Sequence, residues 1–155
     1  PSQTSLLTPE RMATLHAAAF YPERGWSPDE FLSLTASRLV HGHTHAHGYA
    51  LSRTIAGETE LLTLAVDPAY QRQGVADSLM HAWLDSSGAA SAFLEVAADN
   101  EPAQRLYAKY GFAEAGRRIG YYRRKNGPAV DAVLMQAAVT HRKTAESMSH
   151  KPKTG

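Results

Sequence analysis

The sequence predicts an α/β fold: a central mixed sheet of about six to seven strands with helices on both faces. Three observations carry that prediction. Residues 61–66 and 92–96 are short, nearly continuous apolar runs of the kind found in buried strands. Between them, Val75, Leu79, Met80 and Trp83 recur at helical spacing. The periodic segments follow the order α α β β β α β α β β, which lets helices cover both sides of one sheet.

Each element has a local signal. Thr8-Pro9-Glu10-Arg11 reads as a helix start, with a threonine cap and a proline in the first turn. Met12, Leu15, Ala18 and Ala19 form its expected apolar stripe. Residues 22–25 read as a loop. Ser27-Pro28-Asp29-Glu30 combines a serine cap, a proline and a glutamate at the third position, a capping box. Phe31, Leu32, Leu34 and Thr35 supply that helix's expected apolar face. Residues 38–41 and 48–55 read as two strands, with turns expected near Gly42 and Gly57. The run 61–66 ends at Asp67-Pro68, and a helix is expected over residues 74–86, stopped by Gly88. Pro102 opens a short helix that Gly111 closes as a left-handed cap. Final strands near residues 112–123 and 129–138 flank Asn126-Gly127, a hairpin signal.

Composition narrows the class. The chain has 155 residues, 43% of them hydrophobic, enough to bury the core of one domain, expected over residues 1–140. No apolar run reaches the ~20 residues that span a bilayer, so no membrane association is expected. The N-terminus shows no basic-then-apolar pattern, which argues against secretion. There is no cysteine. That excludes disulfides, thiolate zinc sites and a cysteine nucleophile, and suits a reducing cytoplasm. Net charge is +1, but residues 141–155 carry +3 and leave −2 for the rest. That tail has almost nothing apolar to bury and is expected to be disordered. Its charge suits either an RNA surface or plain solvation; direct nucleic-acid binding by the domain is not expected.

Residues 67–76 join a buried strand to a helix start. Gly74 lets backbone approach a ligand, and small Ala76 leaves the next turn uncrowded. The first amides of a helix lack internal partners and, with the helix dipole, can hold an anion. Arg72 adds a positive charge. There is no Walker A lysine pattern and no GxGxxG, so neither an ATP site nor a Rossmann site is indicated. Taken alone, the segment also fits an ordinary strand-to-helix turn.

Val66-Asp67-Pro68 followed by Gln71-Arg72-Gln73-Gly74-Val75-Ala76 resembles the acetyl-CoA signature of the GNAT N-acetyltransferases. Leu106-Tyr107 and Tyr110-Gly111-Phe112 resemble that family's late helix and strand, and Leu94-Glu95-Val96, Asn100, Leu106-Tyr107 and residues 117–122 are most similar to the bacterial ribosomal-protein alanine N-acetyltransferases. So are residues 131–135 and an early Ala19-Phe20 … Trp26-Ser27 segment. The likeness spans roughly residues 10–137. It departs in two places: Ala76 stands where a second glycine is commoner, and the 22–25 link before Trp26 is longer than usual, so the substrate-side loop is expected to differ.

The resemblance implies acetyl transfer from acetyl-CoA to a primary amine, directly in a ternary complex and without a metal. It places Leu64, Ala65 and Val66 on the thioester carbonyl and pantetheine. It places Gln71, Arg72, Gln73, Gly74, Val75 and Ala76 on the phosphates, and Asn100 on the pantetheine arm. Asn100 also suits a helix cap. Glu95 is the candidate base; in a strand buried on both faces it would be desolvated and suited to take a proton near neutral pH. Its alternative is a paired carboxylate at a strand end. Tyr107 is the candidate acid, since a phenol of pKa ~10 can protonate a thiolate of pKa ~8.5 or above. Its alternative is a core ring. Trp26, Tyr121 and Tyr122 are implied around the acceptor, or are packing anchors.

The acceptor implied is the N-terminal α-amine of a ribosomal protein beginning in alanine. An α-amine of pKa ~8 is about a tenth neutral at pH 7, far more than a lysine at ~10.4. A small amine, a protein lysine and a non-catalytic acyl-CoA-binding module remain alternatives. His41, His43, His45 and His47 alternate. An unbroken strand would line them on one face, but Gly42 and Gly48 suggest a turn, and no metal is expected there. His16 and His81 are expected at the surface or the core edge of helices.

Overall fold

The computed structural model describes residues 7–21 and 23–140. Pro22 and the basic tail expected over 141–155 lie outside the described residues. Six strands form one mixed sheet: β1 (Val40–His45), β2 (Gly48–Ile55), β3 (Glu58–Val66), β4 (Ser91–Ala97), β5 (Ala113–Tyr122) and β6 (Val130–Ala138). Their order is β1-β2-β3-β4-β6-β5. Only β3 and β4 run parallel, linked through α3 (Val75–Ser86). The other helices are α1 (Pro9–Phe20), α2 (Pro28–Thr35) and α4 (Glu101–Ala108). No helix among the described residues is long and apolar enough to cross a membrane.

The helices divide between the two faces. Leu79, Met80 and Trp83 of α3 and Tyr107 of α4 pack with Leu94, Val96, Val133 and Met135 of the sheet. On the other face, Met12 and Leu15 of α1 and Phe31 of α2 pack with Tyr49, Leu51 and Ala65. This second cluster takes nothing from β4, β5 or β6. That half of the face is left open, and Phe93, Glu95 and Leu134 stay only half-buried there.

Caps form where the sequence places them. Thr8 accepts a bond from the Arg11 amide at 3.0 Å. The capping box at Ser27 closes in both directions, the Ser27 hydroxyl accepting from Glu30 N and the Glu30 carboxylate accepting from Ser27 N. The buried faces differ in detail. In α1 the third buried residue is His16, while Ala18 faces out. In α2, Leu32 is 58% exposed because Phe31 alone fills the core position.

Two strand boundaries also differ. β1 runs unbroken through Gly42 to His45, because each residue from Val40 pairs with β2 and the turn falls at Ala46-His47. The last hairpin does not close tightly on Asn126-Gly127: β5 ends at Tyr122 and β6 starts at Val130. Pro128 has no N–H for the ladder, and the Arg124 side chain is turned to Asp99 and Glu23.

His16 is a core residue rather than a surface one. It is 4% exposed, its ring stacks on Trp26 at 4.7 Å, and its Nδ1 accepts from Trp26 N at 3.3 Å. Burial, then nearby Arg24, lowers its pKa to about 4 from 6.5. The folded state therefore prefers the neutral ring. Its contribution is full above pH 6.5 and is lost as pH falls toward 4, where the unfolded chain binds a proton that the folded one refuses. The loss expected is about 3 kcal/mol. Urea unfolding between pH 7 and 4 should show this decline, and His16→Phe should flatten it.

Candidate active site

The opening between β3 and β4 organises the site. The parallel pairing covers only Glu58↔Ser91, Thr59↔Ala92 and Glu60↔Phe93. Beyond Phe93 the strands part. β3 stays on β2 as far as Gly48↔Val66, and β4 stays on β6 from Ser91 to Ala97. The sides of β3 and β4 that face each other across the gap therefore carry backbone groups without a ladder partner, on β3 those of Leu64 and Val66, while the groups of Ala65 between them turn to Tyr49 of β2. The expectation of a continuously buried strand over 61–66 is corrected, since Leu62 and Leu64 are only half-buried. The register passes from Leu51↔Thr63 to Ser52↔Leu61, which leaves Leu62 as a bulge where the strands separate.

At the end of β3 the chain makes a short 3-10 turn, Pro68–Tyr70, capped by Asp67, which accepts from Ala69 N at 3.0 Å. The Asp67 amide donates to His47 O at 2.9 Å, and the His47 ring stacks on Tyr70 at 3.5 Å. Gln71, Arg72, Gln73 and Gly74 are exposed. Gly74 has φ +85° and Arg72 φ +64°, a left-handed conformation that costs a non-glycine residue about 1 kcal/mol. No side chain caps α3, and its first bond runs from Ser78 N to Gly74 O. The amides of Val75, Ala76 and Asp77 are left outward, a seat for an anion at the positive end of the helix. Asp77 carries the only acid of that turn, and it is held aside. It accepts from the Tyr110 hydroxyl at 2.6 Å and pairs with Lys109 at 2.9 Å.

Glu95 and Tyr107 flank the opening from opposite faces of β4. Glu95 points to the open half of the sheet. Tyr107 packs with Leu94, Val96 and Phe112 on the α3/α4 side. β4 alternates between buried and half-buried residues, so the expectation that Glu95 lies in a strand buried on both faces is corrected: among the described residues no helix covers its side. Its carboxylate is 26% exposed and pairs with Arg118 Nε at 2.8 Å. Arg118 reaches it from β5 across β6, where its partner in register, Ala132, carries only a methyl group. Burial pushes the Tyr107 phenol up to about 12. Its hydroxyl has no hydrogen-bond partner among the described residues.

Asn100 caps α4, accepting from Ala103 N at 3.2 Å. Its side-chain amide nitrogen has no partner among the described residues. Trp26 is a packing anchor, half-buried against His16 and 5.5 Å from Phe31. Tyr121 is 52% exposed and lies beneath the Arg118 guanidinium at 5.1 Å. Tyr122 is half-buried, and its phenol is raised by burial and then by the charge of Glu95. Glu95, Arg118, Tyr121 and Tyr122 thus form one group beside the opening.

Sequence reasoning missed three contributors. Arg118 belonged to a noted motif, but only the fold shows it on Glu95. Gln104 donates to Ala97 O at 3.1 Å and Ala98 O at 3.0 Å, fixing the turn between β4 and α4. Arg124 pairs with Glu23 and Asp99. Glutamine one turn into a capped helix was the one local signal available.

His41, His43 and His45 do share a face of unbroken β1. His41 and His43 line a cavity of about 360 Å³ with Ser52, Thr54, Ser86 and Ser87. No group of three or more metal-ligating side chains occurs among the described residues.

Residues 5–112 match the Acetyltransferase (GNAT) family. The chain is 32% identical over 144 residues to the ribosomal protein bS18-alanine N-acetyltransferase of Escherichia coli (strain K12), covering 88% of this chain and 97% of that protein. It is 38% identical over 124 residues to the N-alpha-acetyltransferase RimI of Mycobacterium tuberculosis, covering 74% of this chain and 78% of that one. The crystal structure of the ribosomal-protein-S18-alanine N-acetyltransferase from Escherichia coli matches with a TM-score of 0.75 and 30% identity over 88% of this chain and 92% of that chain. Arabidopsis thaliana NAA60 in complex with acetyl-CoA shares the fold at a TM-score of 0.69 and 19% identity, over 85% of this chain and 93% of that chain.

Gly74→Trp forces a bulky side chain into the left-handed cap position. It is expected to weaken acetyl-CoA binding at least ten-fold by calorimetry while the circular dichroism spectrum is kept.

Proposed function

The chain belongs to the Acetyltransferase (GNAT) family and is an acetyl-CoA-dependent N-acetyltransferase, and from that premise we propose that its acceptor is the N-terminal α-amine of a protein, an alanine-starting ribosomal protein in the cytoplasm. The observation that carries this reading is the openness of the Glu95 seat. Glu95 stands on a half-face that no helix among the described residues covers, beside half-exposed Tyr121. An open seat receives the end of a polypeptide, whereas a small amine is held best by walls on all sides. The relatives named for alanine N-acetylation point the same way.

The residues present fit acetyl-CoA. The outward amides of Val75 and Ala76, with Gln71, Arg72, Gln73 and Gly74, hold its phosphates. The β3 edge at Leu64, Ala65 and Val66, where the groups of Leu64 and Val66 face the opening, orients the pantetheine and the carbonyl, with Asn100 across the opening. When bound, acetyl-CoA supplies the acetyl group and a thiolate leaving group.

The chain's own groups then handle the protons. An incoming ammonium displaces Arg118 from Glu95, exchanging one cation for another, so the carboxylate is never left buried and unpaired. Glu95 takes the proton that frees the amine's lone pair for attack. Tyr107 keeps its proton throughout the physiological range. It donates that proton to the departing sulfur from the opposite face of β4. The second proton of the attacking nitrogen, shed as the amide forms, restores the phenol, while the proton on Glu95 leaves to solvent. Because the phenol has no partner among the described residues, donation breaks no hydrogen bond among them.

Mass spectrometry of a peptide with a free N-terminal alanine and an internal lysine tests the acceptor. Acetate on the α-amine is expected; acetate only on lysine overturns the reading. Glu95→Gln and Tyr107→Phe should each lower kcat about 100-fold or more, with acetyl-CoA affinity intact. Unchanged turnover removes the substituted residue from its role.

A further inference from the structure

The 22–25 link is longer than the family's usual link, yet its described residues are fastened. Gly25 packs so closely on α1 that a Cβ there would meet the Ala17 Cβ at 2.9 Å. Arg24 forms two bonds to the Glu30 carboxylate, at 2.9 and 3.1 Å. Glu23 reaches in the other direction, to Arg124 Nη1 at 2.9 Å.

Arg124 holds more than that loop. Its Nε donates to Asp99 Oδ2 at 3.0 Å and its Nη2 to Asp99 Oδ1 at 2.9 Å, a two-point contact. Its guanidinium lies 5.7 Å from the centroid of the Tyr122 ring. The side chain is only 21% exposed, the most enclosed arginine in any ion pair among the described residues. A bidentate arginine–carboxylate contact with a stacked ring fixes direction as well as distance, which a lysine's point charge does not.

Three segments meet at this one side chain. Glu23 lies three residues before Trp26. Arg124 follows Tyr121 and Tyr122 on the hairpin. Asp99 lies between β4, which carries Glu95, and Asn100, which caps the helix of Tyr107. No two of these segments are joined there by strand pairing, so their spacing depends on side chains.

We propose that Arg124 is a positioning residue for the acceptor: by tying the Glu23 loop, the 123–129 hairpin and the start of α4 together, it sets the width of the acceptor mouth and so which amines reach Glu95. The proposal rests on reading this mouth as the acceptor entrance. Arg124 touches neither reacting group, so its loss affects acceptor capture far more than chemistry at saturation.

The test is steady-state kinetics on the full chain with acetyl-CoA, offering the alanine peptide with its internal lysine and, separately, spermidine. Arg124→Met is expected to raise the acceptor KM ten-fold or more, with kcat within about three-fold and the acetyl-CoA KM within about two-fold. Glu23→Gln, which leaves the Asp99 contact intact, should raise the acceptor KM several-fold. Arg124→Lys should recover part of the loss. The preference for peptide over spermidine should shrink in each variant. Glu23→Gln with an unchanged acceptor KM overturns the proposal. So does an Arg124→Met variant whose kcat and both KM values change together with a lowered Tm, because that describes a merely structural residue. If the wild-type protein acetylates lysine or spermidine instead of the α-amine, the proposed function fails, and the same KM-against-kcat split on that acceptor still decides the role of Arg124.

Discussion

The site depends on a parallel strand pair that separates after three residues. A sheet normally leaves no room for a ligand between adjacent strands, because their ladder consumes the facing backbone groups. Here β3 follows β2 and β4 follows β6, and the two diverge after Glu60↔Phe93. The extra residue at Leu62 sits where the divergence begins. A bulge bends and twists its strand, and one added residue switches the face of every side chain beyond it. Thr59 and Leu61 accordingly face α3, where the Thr59 hydroxyl accepts from Trp83 Nε1 at 2.8 Å. Beyond the bulge, Thr63 meets Tyr49 and Ala65 joins the α1/α2 cluster. One irregularity thus opens the sheet and keeps both of its faces apolar around the opening.

The opening has three differently built sides. Its floor, at the start of α3, is a helix N-terminus whose one acid is neutralised by Lys109 and Tyr110, so an anion arriving there meets amides rather than a carboxylate. Its buried side carries a phenol that desolvation keeps protonated. Its open side carries a carboxylate held by an arginine. The phenol and the carboxylate that we propose as proton donor and proton acceptor thus lie on opposite sides of the opening, one enclosed by the α3/α4 core and the other paired with Arg118.

The α1/α2 layer is small and depends on aromatic packing. His16 stands within ring-contact distance of Phe20, Trp26 and Phe31. As a neutral acceptor it also fixes the backbone of Trp26. The layer covers β2 and β3 but stops short of β4, and that shortfall leaves the Glu95 side of β4 uncovered among the described residues.

Much of this was legible in the residues. Caps, glycine breaks and apolar periodicity are local, so the order of elements, the helix starts at Thr8 and Ser27 and the left-handed cap at Gly111 followed from the sequence alone. The resemblance to the family singled out Gly74, Glu95 and Tyr107, whose roles are proposed from where the fold puts them. What the sequence did not determine is which face each residue occupies and what it meets. Glu95 was expected in a strand buried on both faces and stands on an open one, because burial is decided by how far a neighbouring layer extends. His16 was expected at the surface or the core edge and is buried, because a histidine's place depends on the rings brought around it. Arg118 and Arg124 gave no signal of their own, since their partners lie 23 or more positions away for Glu95 and Asp99, and further still for Glu23. Local structure is written in short-range pattern. The bulge register, the divergence of β3 from β4 and the long-range ion pairs arise only when distant strands settle side by side.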